Sequence, residues 1–320
     1  MAQHFLLSAN ARTLSLVKVM RMSDDQAFDA LRALRWASTD GEPVCPRCGC
    51  LRIYNLSDNR RFKCAACLHK FSVTSGTLFA SRKLPIRDIL AAIAIFVNAA
   101  KGHSALQLSR DLDVQYKTAF VLSHKIREAL VAEQAGNEIS GDVEIDGAYF
   151  GGYVKPANRR ENRVDRRLAM HRTGKRQVVI VMRERGGQVL PFVAKSEAHG
   201  CSRIAGCVVP GSTIYAGEAS SWDALEGRFL TKRINHSEAY STPEACTNMA
   251  ESFFSRLRRA EIGTHHHIAG PYLNAYAGEM AWREDNRRVS NGEQFMFATA
   301  AAVGRPVSRQ WKGYWQRAAA

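Results

Sequence analysis

The chain has 320 residues, of which 46% are hydrophobic and 9% aromatic, and this composition excludes a disordered protein. Its 45 lysines and arginines exceed its 30 acidic residues, so the net charge is +15 and a polyanion is the favoured partner. No apolar run approaches the roughly 20 residues that span a bilayer, which favours nucleic acid over a membrane. The N-terminus lacks the layout of a signal peptide, so we expect a cytoplasmic protein of a bacterium.

Residues 1–40 are predicted to form an N-terminal helical segment. Ser23 and Gln26 have the spacing of a capping box, in which each side chain bonds to the other residue's backbone N–H. Apolar residues follow at helical spacing, and the helix is predicted to end near Trp36.

Residues 41–80 contain two Cys-x-x-Cys pairs with fifteen residues between them. Each pair can present two thiolates to one metal ion, and together they complete a tetrahedral site formed by Cys45, Cys48, Cys64 and Cys67. The pattern predicts a zinc ribbon in which the zinc is structural, because so small a module has no core of its own. Nearby arginines and lysines indicate DNA contact as well. The other four cysteines are predicted to be reduced thiols.

Residues 81–135 are predicted to form a helix-turn-helix-like region. One helix begins at Pro85, a second is capped by Ser104, and a third runs from Gln115 to about Leu130. The third helix carries side chains that suit base edges and phosphates, namely Gln115, Lys117, Thr118, Lys125 and Arg127. An ordinary helical hairpin with a solvated face is the alternative.

Residues 141–290 are predicted to form one domain that begins with a strand, because Val143 and Ile145 alternate with Glu144 and Asp146. Further strands are predicted at 177–183, 189–194 and 212–216, and helices at 222–229 and 247–262. Residues 271–320 are predicted to be helical, with a cap at Ser290, and residues 291–320 form a C-terminal tail.

Two acidic residues in this domain, Asp146 on the first strand and Glu251 on the helix at 247–262, are candidate metal ligands. Carboxylates can hold divalent ions that activate an attacking oxygen and stabilise a leaving one in phosphoryl transfer. Arg258 falls on the same helix face as Glu251 and suits a nearby phosphate. An isolated Asp or Glu is usually only solvated, but the shared context in a basic chain favours a site that acts on a polyanion.

Residues 155–176 hold nine lysines and arginines against two acidic residues. A solvated loop is the simplest explanation of such a run, but its position after the Asp146 strand favours nucleic-acid binding. The arginines concerned are Arg159, Arg160, Arg163, Arg166 and Arg167. The run His265–His267 is interpreted as a polar loop near the nucleic acid, because adjacent side chains diverge too far to share a metal ion.

The motifs CPRCG, EIDGAYFGG, TNMAESFFSRLRRAEIGTHHHIAGPYL and WREDNRR resemble those of bacterial insertion-sequence transposases, which have a zinc ribbon, a helix-turn-helix and a DDE catalytic domain. This resemblance implies an α/β (α+β) multidomain protein whose catalytic domain is an RNase H-like mixed sheet flanked by helices. It also implies Mg²⁺ or Mn²⁺ as catalytic ion. Asp146 corresponds to the first family carboxylate, Glu251 to the last, and Arg258 to the basic residue that follows.

The second family carboxylate is missing, since Gly217 stands at its position. Glu218 is one residue out of register but could act as a substitute, whereas Asp223 is expected on the following helix, away from the site. Loss of one carboxylate should weaken both the occupancy and the geometry of a Mg²⁺ site.

The sequence therefore predicts a transposase that binds double-stranded DNA at the ends of its own element, cleaves it, and joins the exposed 3′-hydroxyl to target DNA. Oligomerisation on DNA is expected because two ends must be brought together. One alternative is a catalytically degraded transposase that only binds DNA, which Gly217 favours. A structure-selective nuclease is a weaker alternative, because the zinc and helix-turn-helix modules indicate docking directed by sequence.

Overall fold

The computed structural model describes residues 4–57, 60–151, 158–164, 176–235 and 246–317, and these fall into two compact units. Unit 1 comprises the residues up to 133 and those from 286 onward, and unit 2 comprises residues 134–285. In the described ranges, no helix is both long enough and apolar enough to cross a membrane.

The helices are, in chain order, α1 (Leu16–Met20), α2 (Asp24–Arg35), α3 (Ile86–Asn98), α4 (Ala105–Asp111), α5 (Tyr116–Glu133), α6 (Glu197–Cys207), α7 (Asn248–Ala260), α8 (Leu273–Asp285), α9 (Asn291–Gly304) and α10 (Tyr314–Arg317). The strands are β1 (Ile53–Asn55), β2 (Arg61–Cys64), β3 (Lys70–Ser72), β4 (Asp142–Phe150), β5 (Gln177–Glu184), β6 (Val189–Ala194), β7 (Thr213–Gly217) and β8 (Leu230–Ile234).

Serine side chains begin three of the unit 1 helices, as the sequence predicts. Ser23 accepts a hydrogen bond from the Gln26 N–H at 3.1 Å and the Gln26 side chain accepts one from the Ser23 N–H at 2.8 Å, which confirms the capping box of α2. Ser290 and Glu293 form a second capping box at α9, whereas Ser104 caps α4 only by accepting from the Gln107 N–H. These bonds satisfy backbone donors that have no partner within the helix.

Unit 1 joins a small antiparallel sheet, in the order β1-β2-β3, to the helix α2. The contact is aromatic: Phe62 of β2 lies 5.6 Å from Trp36 and 5.5 Å from Phe71 of β3, measured between ring centroids. The Arg35 guanidinium donates to the carbonyls of Ser72 and Ser75, and burial lowers its pKa to about 10. The sheet therefore gains its apolar core from α2.

The centre of unit 1 is α3, most of whose side chains are buried, with α1, α2, α5 and α9 packed around it. The C-terminal segment also belongs to this core, because Trp311 is buried and its ring stacks on His124 of α5 at 4.4 Å. His124 itself has no solvent exposure.

Unit 2 is built on a five-stranded mixed sheet in the order β6-β5-β4-β7-β8. The pairs β4–β5 and β5–β6 are antiparallel, whereas β4–β7 and β7–β8 are parallel. Val143 and Ile145 of β4 share a core with α6 on one face, while Ala148 and Phe150 share a core with α7 and α8 on the other. The mixed α/β fold, with a sheet flanked by helices and a separate cysteine module, confirms the predicted fold class.

Unit 2 differs from the sequence prediction in three elements. The helix predicted at 222–229 is a shorter 3₁₀ helix at Ser220–Leu225, and it is followed by strand β8. The helix α6 was not predicted because it contains Gly200 and Gly206, and glycine weakens a helical pattern. Strand β8 was not predicted because it is a short edge strand with little apolar alternation.

Candidate metal centre and nucleic-acid interface

The four cysteines predicted as zinc ligands converge on one point of unit 1. All four Sγ atoms lie within 4.8 Å of one another, and the nearest pairs are 3.4–3.6 Å apart. A tetrahedral ion with Zn–S bonds of about 2.3 Å requires Sγ–Sγ distances of about 3.8 Å, so the cluster fits zinc. Backbone N–H groups, first that of Cys67, lower the pKa of Cys64 to about 6 and favour the thiolate that binds metal.

Asp146 lies in the middle of β4 on the face that α7 covers. Its side chain is half-buried, and its Oδ1 accepts a hydrogen bond from the Gly147 N–H at 2.8 Å. Side chains alternate along a strand, so Asp146 shares this face with Glu144 on one side and with Ala148 and Phe150 on the other.

Glu251 lies on α7, and two contacts fix this helix along β4. At its N-terminus the N–H groups of Met249 and Ala250 donate to Oε2 of Glu144, at 2.8 and 3.2 Å. Farther along, Phe254 packs on Phe150, with 6.2 Å between ring centroids. Asp146 and Glu251 both lie between these two contacts, so the predicted first and last carboxylates are at corresponding positions along β4 and α7.

Gly217 lies beside Asp146 and on the same face of the sheet. The parallel register of β4 and β7 pairs Ile145 with Ala216, and the next step along it brings Gly217 next to Asp146. Ala216 packs into the α6 core, so residue 217 faces the opposite side, where α7 lies. In the described residues, the four-cysteine cluster is the only convergent group of three or more histidine, cysteine or carboxylate side chains.

Neither of the two candidate substitutes, Glu218 and Asp223, lies within the strands beside Asp146. Glu218 is exposed and follows the end of β7, and Asp223 lies in the 3₁₀ helix, 3.3 Å from the Arg233 guanidinium. Glu197 of α6 does approach Gly147, since its Oε1 lies 2.6 Å from the position of a Cβ there, but this is the opposite face. Burial raises the pKa of Glu197 above its usual range.

Arg258 is exposed near the C-terminal end of α7, with its guanidinium 5.0 Å from the centroid of the Phe150 ring. This contact holds the stem of the side chain on β4 and leaves its charge at the surface, which suits a phosphate contact.

The sequence did not reveal a buried ion pair that supports this site. The side chain of Glu144 is only 1% exposed, and Arg185, in the turn after β5, donates to its Oε1 from Nε at 3.0 Å. Arg185 also donates to the Cys246 carbonyl and stacks 3.8 Å over the Tyr215 ring. Burial alone would lower the pKa of Arg185, but the bond to Glu144 and nearby negative groups raise it. The signal that could have revealed this pair is Glu144 itself, an acidic residue within a strand that is otherwise mostly buried.

The residues predicted to contact DNA differ in their exposure to solvent. At the start of α5, Gln115, Lys117 and Thr118 are exposed, and Lys125 is half-buried. Arg127 is only 1% exposed and lies 5.5 Å from the centroid of the Phe96 ring. A buried guanidinium cannot reach a phosphate, so the prediction of Arg127 as a DNA contact is corrected.

In the basic stretch, Arg159, Arg160 and Arg163 are exposed, whereas Arg166 and Arg167 lie outside the described residues. Of the three histidines, His265 is half-buried against the Tyr276 ring at 4.6 Å, while His266 and His267 are exposed.

Comparison with known protein families gives two matches. Residues 22–70 match the transposase zinc-ribbon domain, and residues 138–285 match the ISXO2-like transposase domain. Together they cover more than half of the chain, and they include the four cysteines, Asp146 and Glu251. A search of curated proteins found no match.

Proposed function

We propose that this chain, which belongs to the transposases that join a zinc ribbon to an ISXO2-like transposase domain, binds the ends of a DNA element and catalyses their cleavage and strand transfer. In this proposal unit 2 hydrolyses a phosphodiester at the element boundary and joins the resulting 3′-hydroxyl to target DNA. The observation that carries the proposal is that Asp146 and Glu251 lie at corresponding positions on β4 and on the helix α7 that packs against it.

Asp146 and Glu251 would together hold one divalent ion, Mg²⁺ or Mn²⁺. The donor set fits such an ion, because Mg²⁺ is commonly held by one or two carboxylates together with water and substrate phosphates. When bound, the ion supplies positive charge that stabilises the phosphate under attack. Arg258 would add a second positive charge at an adjacent phosphate, and Glu218, which follows Gly217, is the candidate for a substitute ligand.

DNA binding would use the basic surfaces of both units. Gln115, Lys117 and Thr118 offer exposed polar groups on one helix, and Lys125 lies farther along it. The arginines at 159, 160 and 163 are exposed, and the net charge of +15 of the whole chain favours binding of a polyanion. We place the protein in the bacterial cytoplasm, on the nucleoid when bound, as a homo-oligomer that holds two DNA ends.

The test is a cleavage and joining assay with a labelled duplex that carries the repeats flanking the gene, in Mg²⁺ or Mn²⁺. Wild type should nick this duplex at the element boundary and form a joined product, and Asp146→Ala should bind the duplex but yield neither. Asp142→Asn, a change on the same strand at an exposed residue, is the control and should keep activity. Cleavage by Asp146→Ala at the wild-type rate would contradict the proposal.

A second candidate function is that of a DNA-binding protein without catalysis. The one observation in its favour is Gly217 at the expected position of a carboxylate, and the family matches give it no support. Specific binding of the repeats by wild type, without cleavage in either ion, would select this candidate.

A further inference from the structure

Unit 1 contains a cavity of about 810 Å³ beside the N-terminal half of α5. Its walls come from α5, from the segment 79–84, and from the C-terminal residues 311–316. We call it the α5 cavity. Its volume is in the range of small-molecule and cofactor sites, about 300–1,000 Å³.

The lining of the α5 cavity is positively charged. Arg82, Lys83, Lys117 and Lys125 contribute to it, and no acidic residue is among the described residues that form its walls. Lys125 is half-buried, and burial lowers its pKa, although Glu128 partly opposes this effect. Lys125 is thus partly out of water, the exposed Arg82, Lys83 and Lys117 line the same cavity, and a cavity with these charges and no carboxylate favours an anionic ligand.

One wall of the α5 cavity is an indole ring held in a fixed position. Trp315 donates from Nε1 to the Lys117 carbonyl at 3.3 Å. The centroid of its ring lies 5.9 Å from that of Phe120 and 5.3 Å from that of Tyr314. The Lys117 ammonium lies 5.2 Å from the centroid of the same ring. Because Trp311 anchors this segment in the core, the indole is fixed beside the cationic side chains before any ligand binds.

We propose that the α5 cavity binds one unstacked nucleotide, with its base against Trp315 and its phosphate between Lys117 and Lys125. A nucleotide combines a flat ring with an anion, and base–indole stacking next to cations is a common way of binding single strands. The nucleotide belongs to the bound DNA, because the exposed Gln115 and Thr118 line the same cavity and are the residues proposed to contact that DNA. The inference therefore rests on the proposed function.

Fluorescence anisotropy with the full-length, zinc-loaded protein tests this inference. The probes are a short blunt duplex and the same duplex with a short single-stranded thymidine overhang, and free thymidine monophosphate is the competitor. Wild type should bind the overhang duplex roughly tenfold more tightly than the blunt one. Trp315→Leu should remove this preference without changing blunt-duplex affinity, and Trp315→Phe should keep most of it.

Lysine variants give a second, independent measurement. Lys125→Gln should weaken overhang binding several-fold, whereas Lys312→Gln, which removes an exposed charge next to the cavity but outside its lining, should not. Thermal unfolding of each variant identifies any that fail to fold.

Equal affinity of wild type for the two duplexes, or an unchanged preference in Trp315→Leu, would overturn the inference while DNA binding by the protein stands. Trp315-dependent binding of thymidine monophosphate without an overhang preference would assign the cavity to a free nucleotide and overturn the DNA source. Absence of binding to either duplex would instead overturn the proposed function.

Discussion

Gly217 determines how many carboxylates the proposed site can offer. It lies within β7, where the extended backbone accepts any side chain, and the sheet register places it beside Asp146. We predict that Gly217→Asp increases the cleavage rate at least roughly tenfold, because it adds a ligand at the expected position. Gly227→Asp, which adds the same charge at an exposed glycine with open space around it, is the control. Equal rates in the two variants would show that the added ligand does not matter.

We infer that Glu144 supports the proposed site by holding α7 rather than by touching DNA. Its carboxylate accepts two N–H groups at the start of this helix, where a negative charge is favourable. We predict that Glu144→Ala lowers the free energy of unfolding by about 2 kcal/mol, since Arg185 loses its carboxylate partner but keeps its bond to the Cys246 carbonyl and some exposure to water.

Glu144→Gln retains an acceptor and should cost only about 1 kcal/mol of unfolding free energy. Cleavage should still fall, because the helix that carries Glu251 is held less firmly. Thermal unfolding and the cleavage rate at saturating Mn²⁺ are the two measurements. Full activity in a folded Glu144→Ala protein would contradict the positioning role.

At the scale of elements, the zinc ribbon depends on its metal and on α2. Strands β1 to β3 are short and bury few side chains beyond the aromatic contact with Trp36. We predict about one zinc ion per chain in wild type and none in Cys48→Ser, measured by elemental analysis. Cys50→Ser, in the same module but outside the cluster, should retain zinc. Zinc retention by Cys48→Ser would refute a four-cysteine site.

The elements that could be predicted from sequence are those with strong local signals. Helices α2, α4 and α9 begin at serine caps, and the cysteine cluster follows from spacing alone. Helix α6 and strand β8 have weak local sequence patterns. Helix α6 is stabilised by packing on one face of the sheet of unit 2, and β8 by pairing with β7. Neither contact can be read from local sequence.

The sequence pattern pointed to the charged residues of the candidate site but not to the ion pair between Glu144 and Arg185 that lies behind them. Alternation along β4 correctly placed Asp146 opposite Val143 and Ile145. Arg127 was assigned to DNA because a charged residue on a helix usually faces solvent, yet it is buried in the core of unit 1. The pairing of Glu144 with Arg185 joins residues 41 positions apart and could not be read from local sequence.

For the whole molecule, we expect the net charge of +15 to govern the proposed association with DNA. Neutralised phosphates release counterions, so we predict that affinity for the element end falls at least about a hundredfold between about 50 and 200 mM salt. Arg160→Gln should reduce the slope of log affinity against log salt concentration by about one in magnitude, because it removes one phosphate contact. Anisotropy titrations at several salt concentrations measure both effects. A slope close to zero would argue against a phosphate-binding surface.

The most direct test of the site is Mn²⁺ binding measured by electron paramagnetic resonance, with the element-end duplex bound. We predict that wild type binds Mn²⁺ and that Asp146→Asn and Glu251→Gln each weaken this binding at least roughly tenfold, because the two carboxylates share one ion in the proposed site. Asp142→Asn should bind Mn²⁺ as wild type does. Unchanged Mn²⁺ affinity in both Asp146→Asn and Glu251→Gln would show that these residues do not form the metal site.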